Sequence, residues 1–216
     1  MELFVSSPCK LCETRRAKRD CPGIGGEICT VCCGAERENS INSPLDCDYL
    51  RESRIHHRPP PLDEKSIPHL DVKLTDKFVQ MHEPVIILLC MHLRLDMEKD
   101  GASDWDAREA LASLVQTYRT LQSGLIYETR SPNPYAATLQ ENLKKALEEL
   151  RQRLAEKLGM ETLRDTDILG CLVFVQRLEL QYNNGRPKSR AFLDFLRASL
   201  PLTPPSQEVS EPRIEL

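Results

Sequence analysis

Beyond residue 73 the chain places its apolar residues at helical spacing, in five segments. In the first, Phe78, Val79, Val85, Ile86, Leu89, Met91, Leu93 and Met97 predict a helix that Thr75 or Asp76 can cap and that runs to about Lys99. Pro84 should kink or interrupt it. A second helix is expected from Ser103 or Asp104 to a point before Gly124, with Leu111, Leu114, Val115, Tyr118 and Leu121 on one stripe. The third, about Tyr135 to Leu158, sets Leu139, Leu143, Leu147, Leu150, Leu154 and Leu158 in a single seam, and Gly159 stops it. A fourth opens at RDTD around Asp165, whose carboxylates suit a helix start, and runs to Asn183. Its ILGCLVFV run is apolar on every face, which marks the most buried helix. A fifth, about Lys188 to Leu200, offers Ala191, Phe192, Phe195 and Leu196.

The first 58 residues follow a different rule. Seven of the nine cysteines lie before residue 48, while Cys90 and Cys171 sit alone in helical contexts. The division expected is a cysteine-rich module over 1–58, a proline-rich linker over 59–72, an antiparallel all-α bundle of about five helices over 73–200, and a disordered tail over 201–216. The DCDYLRESR segment should form a short helix that carries Cys47. No apolar run approaches the roughly 18 residues of a membrane span, and the first residues lack the basic start of a secretory signal. A cytoplasmic location follows, where clustered cysteines are metal ligands more often than disulfides.

The cysteines are arranged as Cys9-x2-Cys12-x8-Cys21-x7-Cys29-x2-Cys32-Cys33-x13-Cys47. Two residues between cysteines let a tight turn aim both thiolates at one ion about 2.3 Å away, and two such turns close a tetrahedron. Cys9, Cys12, Cys29 and Cys32 therefore form a first site, with sixteen residues between the pairs. Cys21, Cys33, Cys47 and either His56 or His57 could complete a Cys3His second site. In a non-helical segment the adjacent Cys32 and Cys33 would point in different directions and serve different metals. Two structural zinc ions are expected, with an iron–sulfur cluster as the alternative that four thiolates also suit. A module of about 50 residues with few large apolar side chains buries too little surface to fold unaided, and a structural zinc contributes on the order of 10 kcal/mol.

CxxC knuckles of this kind, here CTVCCG with an additional cysteine before Gly34, resemble those of zinc-ribbon and treble-clef zinc-binding modules. The resemblance covers residues 7–58 and implies a metal-held fold there. The pattern departs from RING-type spacing, so ubiquitin ligase activity is not implied.

Charge changes the picture little. The formal net charge is −4, and residues 1–58 hold nine Lys/Arg against nine Asp/Glu. A zinc bound by four thiolates adds about −2. Two local basic clusters remain as nucleic-acid or partner contacts: Arg15, Arg16, Lys18 and Arg19 between the first cysteines, and Arg186 and Arg190 around the NNGRPK stretch. No dinucleotide or phosphate-binding glycine loop, nucleophile elbow, HExxH or paired ExxH is present, so no catalytic residue is assigned. The leading expectation is a non-enzymatic zinc-binding protein that acts as an interaction or adaptor module for another protein. The alternatives are a nucleic-acid-binding regulator that uses residues 15–19 and an iron–sulfur or thiol redox protein. Oligomeric state is left open.

Overall fold

The computed structural model describes residues 7–56, 64–158 and 163–201. In chain order the elements are β1 (Arg19–Cys21), β2 (Gly26–Ile28), α1 (Thr30–Glu36), α2 (Asp48–His56), α3 (Asp76–Asp100), α4 (Asp104–Gln122), α5 (Pro134–Leu158), α6 (Asp165–Tyr182) and α7 (Ala191–Ser199). The described residues thus carry seven helices and one two-stranded antiparallel hairpin, whereas periodicity alone separates five long helices and one short one. The helix α1 and the hairpin escape a periodicity reading because they are too short to show a period. The triple proline of the linker, His57, and residues 202–216 lie outside the described residues.

The long helices begin and end where local chemistry places them. Thr75 Oγ1 accepts the backbone N–H of Phe78 at 3.2 Å, and α3 closes on Gly101 at a left-handed φ of 70°. Ser103 and Asp106 form a reciprocal capping box at the start of α4. Pro134 opens α5, where its missing N–H costs nothing. Pro84 does not interrupt α3, which is one helix of 25 residues. The proline removes one helical hydrogen bond, but the buried Val85, Ile86, Leu89, Cys90, Leu93 and Met97 hold the segment against the bundle. Among the described helices α3 alone has the length and apolar content to cross a membrane, and it packs against α5, α6 and α7. The last helix is shorter than its pattern suggests, because Lys188 and Ser189 are drawn into contacts described below.

The bundle core combines Leu89, Leu93 and Met97 of α3 with Leu111 and Leu114 of α4, Leu139, Leu143 and Leu147 of α5, Ile168 to Val175 of α6, and Phe192 and Leu196 of α7. Leu139 to Leu154 of the α5 seam therefore face inward. Residues 167–173 form an unbroken buried stretch of α6, in accord with its all-round apolar pattern. Gly170 is the tight point: a Cβ there would lie 2.4 Å from the Phe78 ring.

The bundle is not antiparallel throughout. The connection from α4 to α5 runs back along α4: Thr120 Oγ1 donates to the carbonyl of Tyr127, Thr129 N–H donates to Thr117 Oγ1, Ser131 Oγ donates to Glu109, and Asn133 Nδ2 donates to Asp106. As the loop number rises the α4 number falls, so α5 starts beside the start of α4 and the two run in the same direction. On α6, Glu179 pairs with Arg108 near the start of α4, while Asp165 sits near Tyr118 toward its end. Thus α6 opposes α4. Antiparallel neighbours require only a short turn, whereas this eleven-residue connection, Ser123 to Asn133, is long enough to return along a helix of 19 residues.

The cysteine-rich part has its own small core, with Cys9, Ile28, Cys29, Cys33 and Ile41 buried and Cys12, Cys21, Ile24, Cys32 and Tyr49 packed around them. It is joined to the bundle by a polar contact centred on Glu38. This residue is 2% exposed and adopts φ of 54° just beyond α1. Its carboxylate accepts from Arg54 Nη2 at 2.7 Å, Asn184 Nδ2 at 2.7 Å and the backbone N–H of Arg190 at 3.0 Å, while its carbonyl accepts from Lys188 N–H at 2.9 Å. Farther along, Arg177 donates to the carbonyls of Pro68, His69 and Val72, so the end of the expected linker lies against α6.

Candidate metal centre

The centre is assembled by two turns and one helix. The backbone closes around residues 9–15 through Cys9 N–H to Arg15 carbonyl at 2.8 Å and Glu13 N–H to Cys9 carbonyl at 2.8 Å. This loop presents Cys9 and Cys12. The hairpin β1–β2 then returns the chain to Cys29, the N-cap of α1, whose Sγ accepts Cys32 N–H at 3.4 Å. Lys10 N–H bonds the carbonyl of Glu27 at 3.0 Å and fixes the first loop against the hairpin.

As a result the sulfurs of Cys9, Cys12, Cys29 and Cys32 all lie within 4.8 Å of one another. A tetrahedron with metal–sulfur bonds of about 2.3 Å has edges of about 3.8 Å, so the donor set and spacing fit one four-coordinate thiophilic ion. Electrostatics agree. Cys12 is pulled down to about 5, first by the Thr14 hydroxyl and then by backbone N–H groups. Burial opposes ionisation of Cys9, but the N–H groups of Cys12, Cys29 and Leu11 outweigh it and lower its thiol. Cys32 is pushed up to about 12 because its thiol donates to Cys29 and is partly desolvated. A cation bound among the four would displace that proton. Arg15 lies against the same sulfurs, and its guanidinium is held more firmly protonated by Cys29 and Cys12.

The other three early cysteines are placed differently. Among the described residues one group of metal-competent side chains is gathered, and Cys21, Cys33, Cys47 and His56 do not form a second. Cys33 is buried and receives Arg19 Nη1 at 3.4 Å and Arg37 Nη2 at 3.5 Å. Burial disfavours its thiolate, yet the two guanidiniums outweigh burial and lower the thiol. Cys47 precedes α2, and its carbonyl accepts from Leu50 and Arg51 at 3.0 Å each. His56 is exposed at the end of α2, and His57 lies outside the described residues. The Cys32–Cys33 doublet occupies the first turns of a helix and not an extended segment. Successive helical residues still diverge, which is why Cys32 turns to the quartet and Cys33 to the arginines.

The basic clusters are also divided. Arg15, Arg16 and Lys18 are exposed, but Arg19 is half-buried, with its guanidinium 4.4 Å above the Tyr49 ring. Arg186 donates from Nη1 to the carbonyls of Gly34 and Arg37, and Arg190 donates from Nη2 to Gly101 at 2.6 Å. Both are engaged inside the chain. Glu38 and Asp104 carry no signature that sequence reading could use, because apart from Arg54, 16 positions from Glu38, their side-chain partners lie 85 to 152 positions away. Asp104 caps α7 from α4: its carboxylate accepts Ser189 Oγ at 2.5 Å and the N–H groups of Phe192 and Leu193 at 3.1 and 3.3 Å. Cys90 and Cys171 are buried in the bundle, where burial pushes both thiols up to about 12.

Compared with protein-family models, curated proteins and solved structures, the chain matches none of them.

Proposed function

We propose that this chain is a zinc-binding interaction protein without catalytic activity, in which one structural zinc holds an N-terminal module that contacts another protein. The observation that carries the reading is the approach of four thiol sulfurs to within 4.8 Å. Zinc suits a closed set of four thiolates, and with every position filled by cysteine no site is left for a reacting water. The second pair of ligands belongs to the start of a helix, which supports the treble-clef form of the resemblance over the ribbon form. A reducing, cytoplasmic setting keeps such thiols available.

Two apolar side chains support an interaction role. Leu11 and Val31 occupy the same place in the two CxxC turns and are 41% and 55% exposed. Apolar side chains displayed on a rigid metal knuckle suit a protein partner. The nucleic-acid reading has weaker support, since Arg19, Arg186 and Arg190 are engaged within the chain.

Metal analysis of purified protein should return about one zinc per chain from a colourless preparation; brown colour with visible absorbance would replace zinc by an iron–sulfur cluster. Affinity capture with metal retained should then recover a protein partner that survives nuclease treatment and is lost in the Leu11→Ser/Val31→Ser variant. Recovery that depends on nucleic acid and falls when Arg15, Arg16 and Lys18 are neutralised would favour the regulator reading instead.

A further inference from the structure

Three arginines from separate segments line one cavity of about 220 Å3 where the cysteine-rich part meets the bundle. Arg37 follows α1, Arg54 lies in the last turn of α2, and Arg186 lies between α6 and α7. The carboxylate in the wall is that of Glu38. Asp194 stands 2.9 Å from Arg54 Nη1. Three guanidiniums against two carboxylates leave this enclosed site with an excess of one positive charge.

The guanidiniums are only partly satisfied by the chain. Arg37 uses Nη2 for Cys33, Arg54 uses Nη2 for Glu38, and Arg186 uses Nη1 for two carbonyls. The Nε–H groups of Arg37 and Arg54 are buried without an acceptor among the described residues. Those two donors are closed off from the cavity, and the ones left for a guest are Arg37 Nη1 and Arg186 Nη2, which carry no acceptor among the described residues. A water molecule could accept one such bond but would not offset the positive charge. A tetrahedral oxyanion does both, because the planar fork of arginine matches its paired oxygens. Binding sites also concentrate where two structural units meet, as here.

We infer that the cavity lined by Arg37, Arg54 and Arg186 binds a phosphate group, either free or as the terminal phosphate of a small molecule. Arg37 and Arg186 supply the donors, and Arg54, paired with Glu38 and Asp194, forms part of the wall. Since the walls come from both parts of the molecule, the anion also fastens the metal-held module to the bundle. This inference is independent of the protein-partner reading.

The test is titration of the full metal-loaded chain with inorganic phosphate at constant ionic strength, followed by calorimetry and by thermal melting, with chloride as the control. Phosphate should bind saturably and raise the melting temperature, and Arg37→Gln should weaken binding at least about tenfold while metal content stays unchanged. If Arg37→Gln does not fold, Arg186→Gln at the outer side carries the same expectation. Equal effects of phosphate and chloride, or unchanged affinity in a folded variant, would overturn the inference. A small sugar phosphate should compete with phosphate; competition by an oligonucleotide without terminal phosphates would instead assign the cavity to a nucleic-acid backbone and overturn the small-molecule form.

Discussion

Asn184 donates from Nδ2 to Oε2 of Glu38 at 2.7 Å, across 146 positions of sequence. The contact links the turn that follows the metal-binding helix α1 to the loop between α6 and α7. Glu38 holds three donors with a side chain 3% exposed, and of these Arg54 alone also meets a second carboxylate, that of Asp194. Removing one member of a buried charged network leaves the others desolvated and unpaired.

Glu38→Ala should therefore lower the stability of the full chain by about 3 kcal/mol. The measurement is the urea midpoint. Glu38→Gly separates two contributions, since glycine tolerates the left-handed φ of 54° but also lacks the carboxylate. Glutamate and alanine incur the same left-handed cost, so a higher midpoint in Gly than in Ala measures the strain, and an unchanged midpoint in Glu38→Ala would show that the polar joint contributes nothing.

The two adjacent cysteines should behave differently. Cys32→Ser removes a member of the quartet and should abolish zinc binding and unfold residues 7–56, while the far-UV signal of the bundle persists. Cys33→Ser should retain about one zinc, because its sulfur faces Arg19 and Arg37. Metal analysis of both variants decides the point, and loss of a second zinc in Cys33→Ser would restore the two-site arrangement.

Gly170→Ala should destabilise the bundle by about 1–3 kcal/mol, since the added methyl would sit 2.4 Å from the Phe78 ring in a buried helix interface. Phe78→Leu in the same chain should recover part of the loss. A double variant no more stable than Gly170→Ala would show that the clash lies elsewhere.

Stability should also depend on pH in a defined direction. Burial raises the Glu179 carboxyl from its ordinary 4.5 to about 7, against the pull of Arg108, and burial raises Asp104 as well. The folded chain holds these protons more tightly than the unfolded chain, so their contribution is full below about 4.5 and is lost as pH rises toward 7. Asp71, lowered by Arg119, and Asp167, where Arg164 outweighs burial, act oppositely and lose their contribution as pH falls below the ordinary 3.8. Urea midpoints should pass through a maximum near pH 5. Glu179→Gln should remove up to about 3 kcal/mol of the decline between pH 5 and 8. An equal decline in the variant would exclude Glu179 as its source.

Much of this architecture is legible without coordinates, for a physical reason. A helix is specified by apolar spacing and by the residues at its ends, so Thr75, Ser103, Pro134 and the leucines of α5 locate their elements from within a few positions. A CxxC turn is equally local, and two of them sufficed to nominate Cys9, Cys12, Cys29 and Cys32, which the fold gathers. The parallel course of α4 and α5, the arginines around Cys33, the inward use of Arg186 and Arg190, and the joint at Glu38 were decided only by tertiary structure. Apart from Arg37, four positions from Cys33, each depends on a polar group meeting a partner 12 to 152 positions away. No local preference selects such a partner; packing of the two cores brings it within reach, and the need to satisfy a buried donor or charge then chooses it.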